Sequence, residues 1–245
     1  MLARLTPLVV GLLVSAPVFF LLASFFEGDG SIQAHVLTTT GPRYFAGTVL
    51  LCLMVAAATT VIGAGAAVLV SLFEFPGRRI LSVALTLPLA MPAYIAAYAY
   101  ADLFGPFGVA ARVLGAQVHL PDIRTLPGAA FILTLSVYPY VYLAMRASFQ
   151  GRSAGFLDAS RSLGASPAKA IWTTLLPAGR AAFAGGLALA LMETAADFGV
   201  ADYFGVQTLS VGIFRTWYGL GDLAAASQLA AGLFLVALLF VLIER

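Results

Sequence analysis

Charged residues and cysteine are scarce in this chain, and each scarcity excludes a class of protein. Only 10% of the 245 residues are charged, 61% are hydrophobic, and the mean hydropathy is +0.98. Because soluble domains carry about 25% charged residues, a soluble globular fold is excluded. The single cysteine, Cys52, lies inside an apolar run, so neither a disulfide framework nor a cysteine-based metal site can form within one chain.

Groups that perform catalysis are also missing from the sequence. The two histidines, His35 and His119, are isolated, and no Ser/His/Asp or Cys/His arrangement indicates a hydrolase. The phosphate-binding pattern G-x-x-x-x-G-K-[ST] does not occur. We therefore expect no enzyme activity, no catalytic residue and no cofactor bound by this chain. The net charge of +2 is too small to indicate nucleic acid as a partner.

Long apolar runs dominate the rest of the sequence. Several of them can cross about 30 Å of hydrocarbon as a helix. We predict an all-α fold, a polytopic transmembrane helix bundle that forms a single domain over residues 1–245. The six predicted spans are 7–26, 46–73, 80–104, 129–149, 181–201 and 224–243.

Proline and glycine residues inside these spans predict where the helices bend and where they touch. Pro88 and Pro92 lie within the third span, which is therefore expected to be kinked or broken. Small residues allow two membrane helices to approach closely. The glycines in question are Gly63 and Gly65 in the second span and Gly185 and Gly186 in the fifth.

The distribution of lysine and arginine predicts the orientation. If the N-terminus is inside, nine basic residues lie on that side and four on the other. Since the more basic side faces the cytoplasm, both termini and the polar loop 150–180 are predicted to be cytoplasmic. The nine are Arg4, Arg78, Arg79, Arg146, Arg152, Arg161, Lys169, Arg180 and Arg245, and the four are Arg43, Arg112, Arg124 and Arg215.

The polar loop 150–180 has the pattern of two short helices joined by a corner. Gly164 suits a left-handed cap at the end of the first helix, Ser166 suits the N-cap of the second, and Pro167 its first turn. An interfacial helix pair on lipid headgroups is one interpretation. The small residues Ala159, Ser160 and Ser162 favour the other, a helix that inserts into a protein cleft.

The same loop resembles the cytoplasmic loop of ABC importer permeases. In that family the pattern is Glu-Ala-Ala, three residues, Gly, nine residues, Ile, one residue, Leu-Pro. The spacing agrees throughout, and three residues depart from the pattern: Asp158 for Glu, Ser160 for the second Ala and Thr174 for Ile. The residues that carry the match, and that the resemblance assigns to coupling with an ATPase, are Asp158, Ala159, Ser160, Gly164, Leu176 and Pro177.

This resemblance implies a set of partners and a location. The loop would be the coupling helix that docks into a cytoplasmic ABC ATPase dimer, and ATP would be used by that partner. A substrate-binding protein would deliver the cargo, and a second six-span half, fused or supplied by another copy, would complete the path. The chain would be a multi-pass protein of the bacterial plasma (inner) membrane, in contact with lipid.

Two acidic residues in the fifth span are candidate pathway residues. Glu193 and Asp197 are four residues apart, on one face of a continuous helix, and a carboxylate inside a membrane costs at least about 2.5 kcal/mol. They either line the path or form a structural pair neutralised by Arg215 or by protonation. Asp202 and Tyr203 would extend the same oxygen-rich lining, which suits transient contact with a hard cation rather than a stable metal site.

This acidic stretch resembles iron(III) permeases of the ABC importer family. The matching sequences are E-T-A-A-D-F-G, Y-F-G-V-x-T and R-T-W-Y-G-L-G-D, and the chain resembles the first half of such a permease. Cargo of the thiamine, polyamine, sulfate or phosphonate type is the alternative within the family. A secondary transporter or channel that uses Glu193 and Asp197 without ATP is the alternative from another class.

Overall fold

Every element of the described structure is helical. The computed structural model describes residues 2–24, 34–105, 108–114, 122–150, 162 and 164–243. The all-α prediction is confirmed, and these residues contain no strand. In chain order the helices are α1 (Leu2–Ser24), α2 (Gly41–Thr59), α3 (Gly65–Leu72), α4 (Arg78–Ala84), α5 (Ala93–Phe104), α6 (Val109–Leu114), α7 (Leu126–Phe149), α8 (Pro167–Ala170), α9 (Leu176–Ala178), α10 (Arg180–Ala196), α11 (Gly199–Tyr203), α12 (Leu209–Phe214) and α13 (Leu223–Ile243).

Wider π-helical turns and one 3-10 turn join several of these helices. Thr60–Ala64 is a π-turn that connects α2 to α3 without a break. Further π-turns cover Val36–Thr40, Ile171–Leu175 and Arg215–Gly219, and the 3-10 turn covers Leu87–Ala90.

The surface of the protein exposes many large apolar side chains, as expected for helices that contact lipid. Leu13, Val61 and Val113 are 69%, 74% and 78% exposed, and they belong to a larger set of exposed Leu, Val, Ile and Phe side chains of the kind that contacts lipid. Among the described residues three helices are long and apolar enough to cross a membrane: Thr38–Leu72, Leu126–Phe149 and Leu223–Leu242. The number rises to five if each of two bent helix pairs forms one span. The count of six spans stays a prediction.

The chain divides into two compact units. One comprises Met1–Thr48 with Gln207–Val236, and the other comprises Val49–Val206 with Ala237–Arg245. Within the first unit, the Thr48 hydroxyl accepts a hydrogen bond from the Leu209 N–H at 2.8 Å.

Helix α7 is the centre of the second unit. It is 61% buried over its apolar window, against 28% and 33% for the other two helices of spanning length. Glycines let two helices pack against it: a Cβ on Gly63 or on Gly186 would lie 2.9 Å from Val141 atoms. The predicted close contact is confirmed at these two glycines, whereas a Cβ on Gly65 would meet nothing within 4 Å.

Two predicted spans are interrupted. The third is broken as its prolines predict, because α4 ends at Ala84 and α5 begins only after Pro92, whose backbone is extended with ψ of 135°. The fifth was predicted as one helix over 181–201, and this is wrong. Helix α10 ends at Ala196, Asp197 is extended with ψ of 121°, and α11 is a separate short helix.

Candidate functional site: a polar elbow and an acid-lined cavity

Residues 164–179 form what we call the polar elbow, which precedes α10. Gly164 has a left-handed backbone with φ of 80°, a conformation that most residues with a Cβ avoid. The Ser166 hydroxyl accepts a hydrogen bond from the Lys169 N–H at 3.3 Å, and α8 begins at Pro167. The left-handed Gly164, the Ser166 cap and the start of the second helix are therefore confirmed, while the predicted first helix, apart from Ser162, lies outside the described residues.

A second corner of the polar elbow lies at Gly179. The helical segments Ala168–Ala178 and Arg180–Ala196 meet there with a bend of 68°. A Cβ on Gly179 would lie 2.9 Å from Cε1 of Phe149, so glycine leaves room for this ring. Leu175 is buried in the same apolar cluster as Phe149. The polar elbow is therefore packed against the C-terminal end of α7.

The residues assigned to coupling lie partly inside the described structure. Leu176 is half-buried and Pro177 is exposed, both in α9. Trp172, which sequence reasoning missed, is 72% exposed on the same polar elbow, and an aromatic residue in a polar loop was its only signal. Outside the described residues lie Asp158, Ala159 and Ser160.

The two acidic residues do not share a helix. Glu193 is exposed in the last turn of α10, while Asp197 follows the end of that helix. A carboxylate oxygen of Asp197 accepts hydrogen bonds from the N–H groups of Val200 and Ala201 at 2.8 and 3.3 Å. Asp197 is thus the side-chain cap of α11, and the prediction that both acids lie on one face of a continuous helix is wrong.

The tertiary structure nevertheless brings the two acids together. They line one cavity of about 120 Å³, which we call the acid cavity. Its walls come from three separate parts of the chain: the proline-broken segment before α5, the middle of α7 and the end of α10. Sequence reasoning missed Ser136 and Tyr140, which add two hydroxyl groups. The other lining residues are Pro88, Leu89, Met91, Pro92, Ala93, Leu133 and Val137.

Asp202 and Tyr203 do not line the acid cavity. Asp202 is exposed. The Tyr203 ring packs on Tyr98 at 4.2 Å between centroids, and its hydroxyl accepts a hydrogen bond from Nη2 of Arg124 at 3.1 Å. Tyr98 in turn contacts Tyr94 edge to face. These residues form an aromatic cluster with one cation rather than a carboxylate lining.

No group of three or more His, Cys, Asp or Glu that could hold a metal ion exists among the described residues. The acid cavity offers two carboxylates and two hydroxyls, a hard oxygen donor set of the kind that suits a cation in transit. It can attract and partly desolvate a cation, and its carboxylates would repel an anion unless they were protonated.

Comparison with known families decides what kind of protein carries these features. Residues 59–244 match the family model described as binding-protein-dependent transport system inner membrane component. The chain belongs to this family. The matched range contains the polar elbow, the acid cavity and all of α7, so the features described above lie within the family's own region. Together with the apolar helices, membership makes the chain a multi-pass membrane protein.

Two curated relatives of this permease family name different cargo. The chain is 26% identical over 194 residues to the Fe(3+)-transport system permease protein FbpB 2 of Haemophilus influenzae, a match that covers 79% of this chain and 35% of the relative. It is 27% identical over 127 residues to the sulfate transport system permease protein CysT of Salmonella typhimurium, covering 52% and 46%. The chain thus spans about a third to a half of the length of these two relatives.

Solved structures support the permease fold. A bacterial alginate ABC transporter in complex with an alginate pentasaccharide-bound periplasmic protein aligns with a TM-score of 0.79 at 16% identity, covering 99% of this chain and 91% of that one. The MetNI methionine ABC transporter aligns with a TM-score of 0.66 at 16% identity, covering 85% and 94%. At these identities the likeness concerns the fold alone.

Proposed function

We propose that this chain is a membrane-spanning permease subunit of an ATP-driven ABC importer that passes ferric iron from a binding protein to the cytoplasm. The observation that carries the cargo assignment is the acid cavity, where Glu193 and Asp197 share one space of about 120 Å³. Hard oxygen ligands are what a ferric ion prefers. The resemblance to the iron permease FbpB 2, over 79% of this chain, agrees with it.

The negative charge of the acid cavity favours ferric iron over the second candidate cargo, sulfate. Sulfate is favoured by the relatives named CysT. Two carboxylates at one cavity oppose a divalent anion, whereas they favour a trivalent cation, and both effects are strong at low effective dielectric. The small volume of the acid cavity also suits an ion better than a cargo of thiamine or polyamine size.

The polar elbow is the proposed contact with the ATPase. A separate ATPase dimer would bind and hydrolyse ATP. The docking element for this dimer would consist of Asp158, Ala159, Ser160, Gly164, Leu176 and Pro177. Support comes from the geometry around Gly179, because an elbow packed against Phe149 would transmit a movement of the ATPase to α7. A second permease half would close the path.

Uptake measurements test the cargo. Cells that express this chain with its transport system would be given labelled ferric iron or labelled sulfate. We expect iron uptake, and we expect Glu193→Gln to lower it roughly tenfold at equal membrane abundance, since an ionic contact is lost. The matched control is Glu74→Gln, an exposed carboxylate outside the acid cavity, which should leave uptake unchanged.

Each other result points to a different conclusion. Sulfate uptake that Glu193→Gln leaves intact would assign the chain to the sulfate group. Iron uptake that persists when the partner ATPase is inactivated would favour the secondary transporter or channel.

Cysteine labelling tests the orientation. Ser162 is exposed, and the natural Cys52 is only 3% exposed, so a Ser162→Cys variant would report on one position with little background. We expect labelling from the cytoplasmic side by a reagent that does not cross membranes. Labelling only from outside would overturn the predicted topology.

A further inference from the structure

Three arginines surround a second, larger cavity that transport does not explain. The cavity has a volume of about 420 Å³ and lies where α3, α4 and α7 end or begin. Among the described residues, its lining contains no carboxylate. The lining residues are Val70, Ser71, Arg78, Arg79, Ser82, Arg146, Phe149 and Gln150. We call it the arginine cavity.

Two of the three arginines are oriented by neutral partners. Nε of Arg78 donates a hydrogen bond to the Val70 carbonyl at 2.6 Å. Nη1 of Arg146 donates to the Ser82 carbonyl at 3.4 Å, and its guanidinium lies 5.8 Å from the Tyr142 ring centroid. Such contacts orient a guanidinium without neutralising its charge.

The positive charge is therefore only weakly countered. Within the described structure no ion pair joins Arg78, Arg79 or Arg146 to a carboxylate. Glu74 lines a neighbouring surface cavity together with Arg78 and Arg79, without forming an ion pair with either. Guanidinium groups bind phosphate oxygens well because their planar N–H donors match them in pairs.

An apolar groove adjoins the arginine cavity. Arg79 lines both, and the rest of the groove is formed by Ile80, Val83, Ala84 and Leu87. These residues follow one face of a helical stretch at spacings of three and four. Ile80, Val83 and Leu87 are 78%, 62% and 61% exposed. The positively charged cavity and the apolar groove thus meet at Arg79.

We propose that the arginine cavity binds the phosphate of an anionic phospholipid whose acyl chain lies along the Ile80–Leu87 groove. Basic pockets between membrane helices bind anionic headgroups, and each arginine near the surface contributes about 1 kcal/mol. A soluble phosphate shares the headgroup chemistry but makes no use of the groove. A bound lipid would brace the ends of α3, α4 and α7 against one another.

Native mass spectrometry of the full chain in detergent tests this proposal. The protein would be incubated with equal amounts of phosphatidylglycerol and phosphatidylcholine. We expect phosphatidylglycerol to be retained preferentially, and Arg79→Gln and Arg146→Gln each to lower its retention about fivefold. The matched control, Arg180→Gln, removes an exposed arginine outside the arginine cavity and should leave retention unchanged. The side chain of Arg79 is exposed, so its variant stays informative if Arg146→Gln is unstable.

Two further arms separate the sources of phosphate. Inorganic phosphate should not displace the lipid, and Ile80→Ser with Val83→Ser should weaken lipid retention. Displacement by inorganic phosphate, with no effect of the groove variants, would overturn the lipid proposal in favour of a soluble anion. Equal retention of both lipids, or retention unchanged in Arg79→Gln, would also overturn it. If Arg79→Gln and Arg146→Gln leave lipid retention unchanged but abolish co-purification of the ATPase, the arginines form a protein contact instead.

Discussion

The polar elbow and the acid cavity both interrupt the membrane-spanning part of this chain, and they are built in opposite ways. The polar elbow is local: Gly164, Ser166 and Gly179 shape it within sixteen residues, 164–179. The acid cavity is assembled from three distant segments, and its lining runs from Pro88 to Asp197. The polar elbow changes the direction of the backbone within a few residues. The acid cavity instead brings polar side chains from distant segments into one space.

Helix α7 connects the two regions. Its C-terminal Phe149 packs against the corner at Gly179, and its Ser136 and Tyr140 line the acid cavity. One buried helix therefore contacts both regions, and we expect it to carry any movement of the polar elbow to the acid cavity. The contrast between the two regions can be tested by changing one without the other.

The largest effect is expected at Gly164. A Gly164→Val substitution forces a β-branched residue into the left-handed region, at a cost of about 1–2 kcal/mol, so the elbow would change direction. Because a Cβ there meets nothing within 4 Å, the effect is conformational and not steric. We expect nearly complete loss of iron uptake at normal membrane abundance. Gly164→Asn, which tolerates this backbone, should restore most of it, and full uptake by the valine variant would refute the coupling role.

At Asp197 the charge and the capping function can be separated. Asp197→Asn keeps an oxygen that can accept from the Val200 and Ala201 N–H groups, but it removes the charge. We expect uptake to fall roughly tenfold with unchanged thermal stability. Asp197→Ala should lower both uptake and stability, the latter by about 1 kcal/mol. If the asparagine variant transports normally, Asp197 serves only as a cap.

A substitution at the contact between α10 and α7 should lower the stability of the protein. A Cβ on Gly186 would lie 2.9 Å from the Tyr140 carbonyl oxygen and from Cα of Val141, so Gly186→Ala must push α10 away from α7. We expect the free energy of unfolding to fall by about 1–3 kcal/mol, measured by thermal or denaturant unfolding in detergent. Gly65→Ala is the matched control, since its Cβ would meet nothing. Equal effects of the two variants would mean that close packing at Gly186 is unimportant.

The smallest effect is expected at Ser166. Ser166→Ala removes the cap that accepts from the Lys169 N–H, at a cost of about 1 kcal/mol confined to the elbow helix. Hydrogen exchange at that amide should become faster, while uptake and overall stability stay near normal. Ser166→Asp should restore protection because it caps equally well. A large loss of uptake in the alanine variant would mean that the elbow needs this helix fully formed.

Local backbone chemistry explains which features could be predicted from the sequence. Glycine at a left-handed corner, serine as a cap and proline as a helix breaker act within a few residues. For that reason Gly164, Ser166 and the break at Pro92 were all visible in the sequence. The apolar runs likewise determined a helical membrane protein, because lipid cannot satisfy backbone hydrogen bonds.

Packing between distant segments decided the rest. The spacing of Glu193 and Asp197 predicted that both lie on one helix face. Instead, Asp197 ends α10 and caps α11. No proline or glycine between Ala195 and Phe198 indicates this break in the sequence. The two carboxylates meet because α7 and the proline-broken segment close a cavity around them. Likewise, Arg79 and Arg146 are 67 positions apart in the sequence and share the arginine cavity only through the fold. A sequence determines what each segment prefers by itself, and only tertiary packing decides which side chains become neighbours.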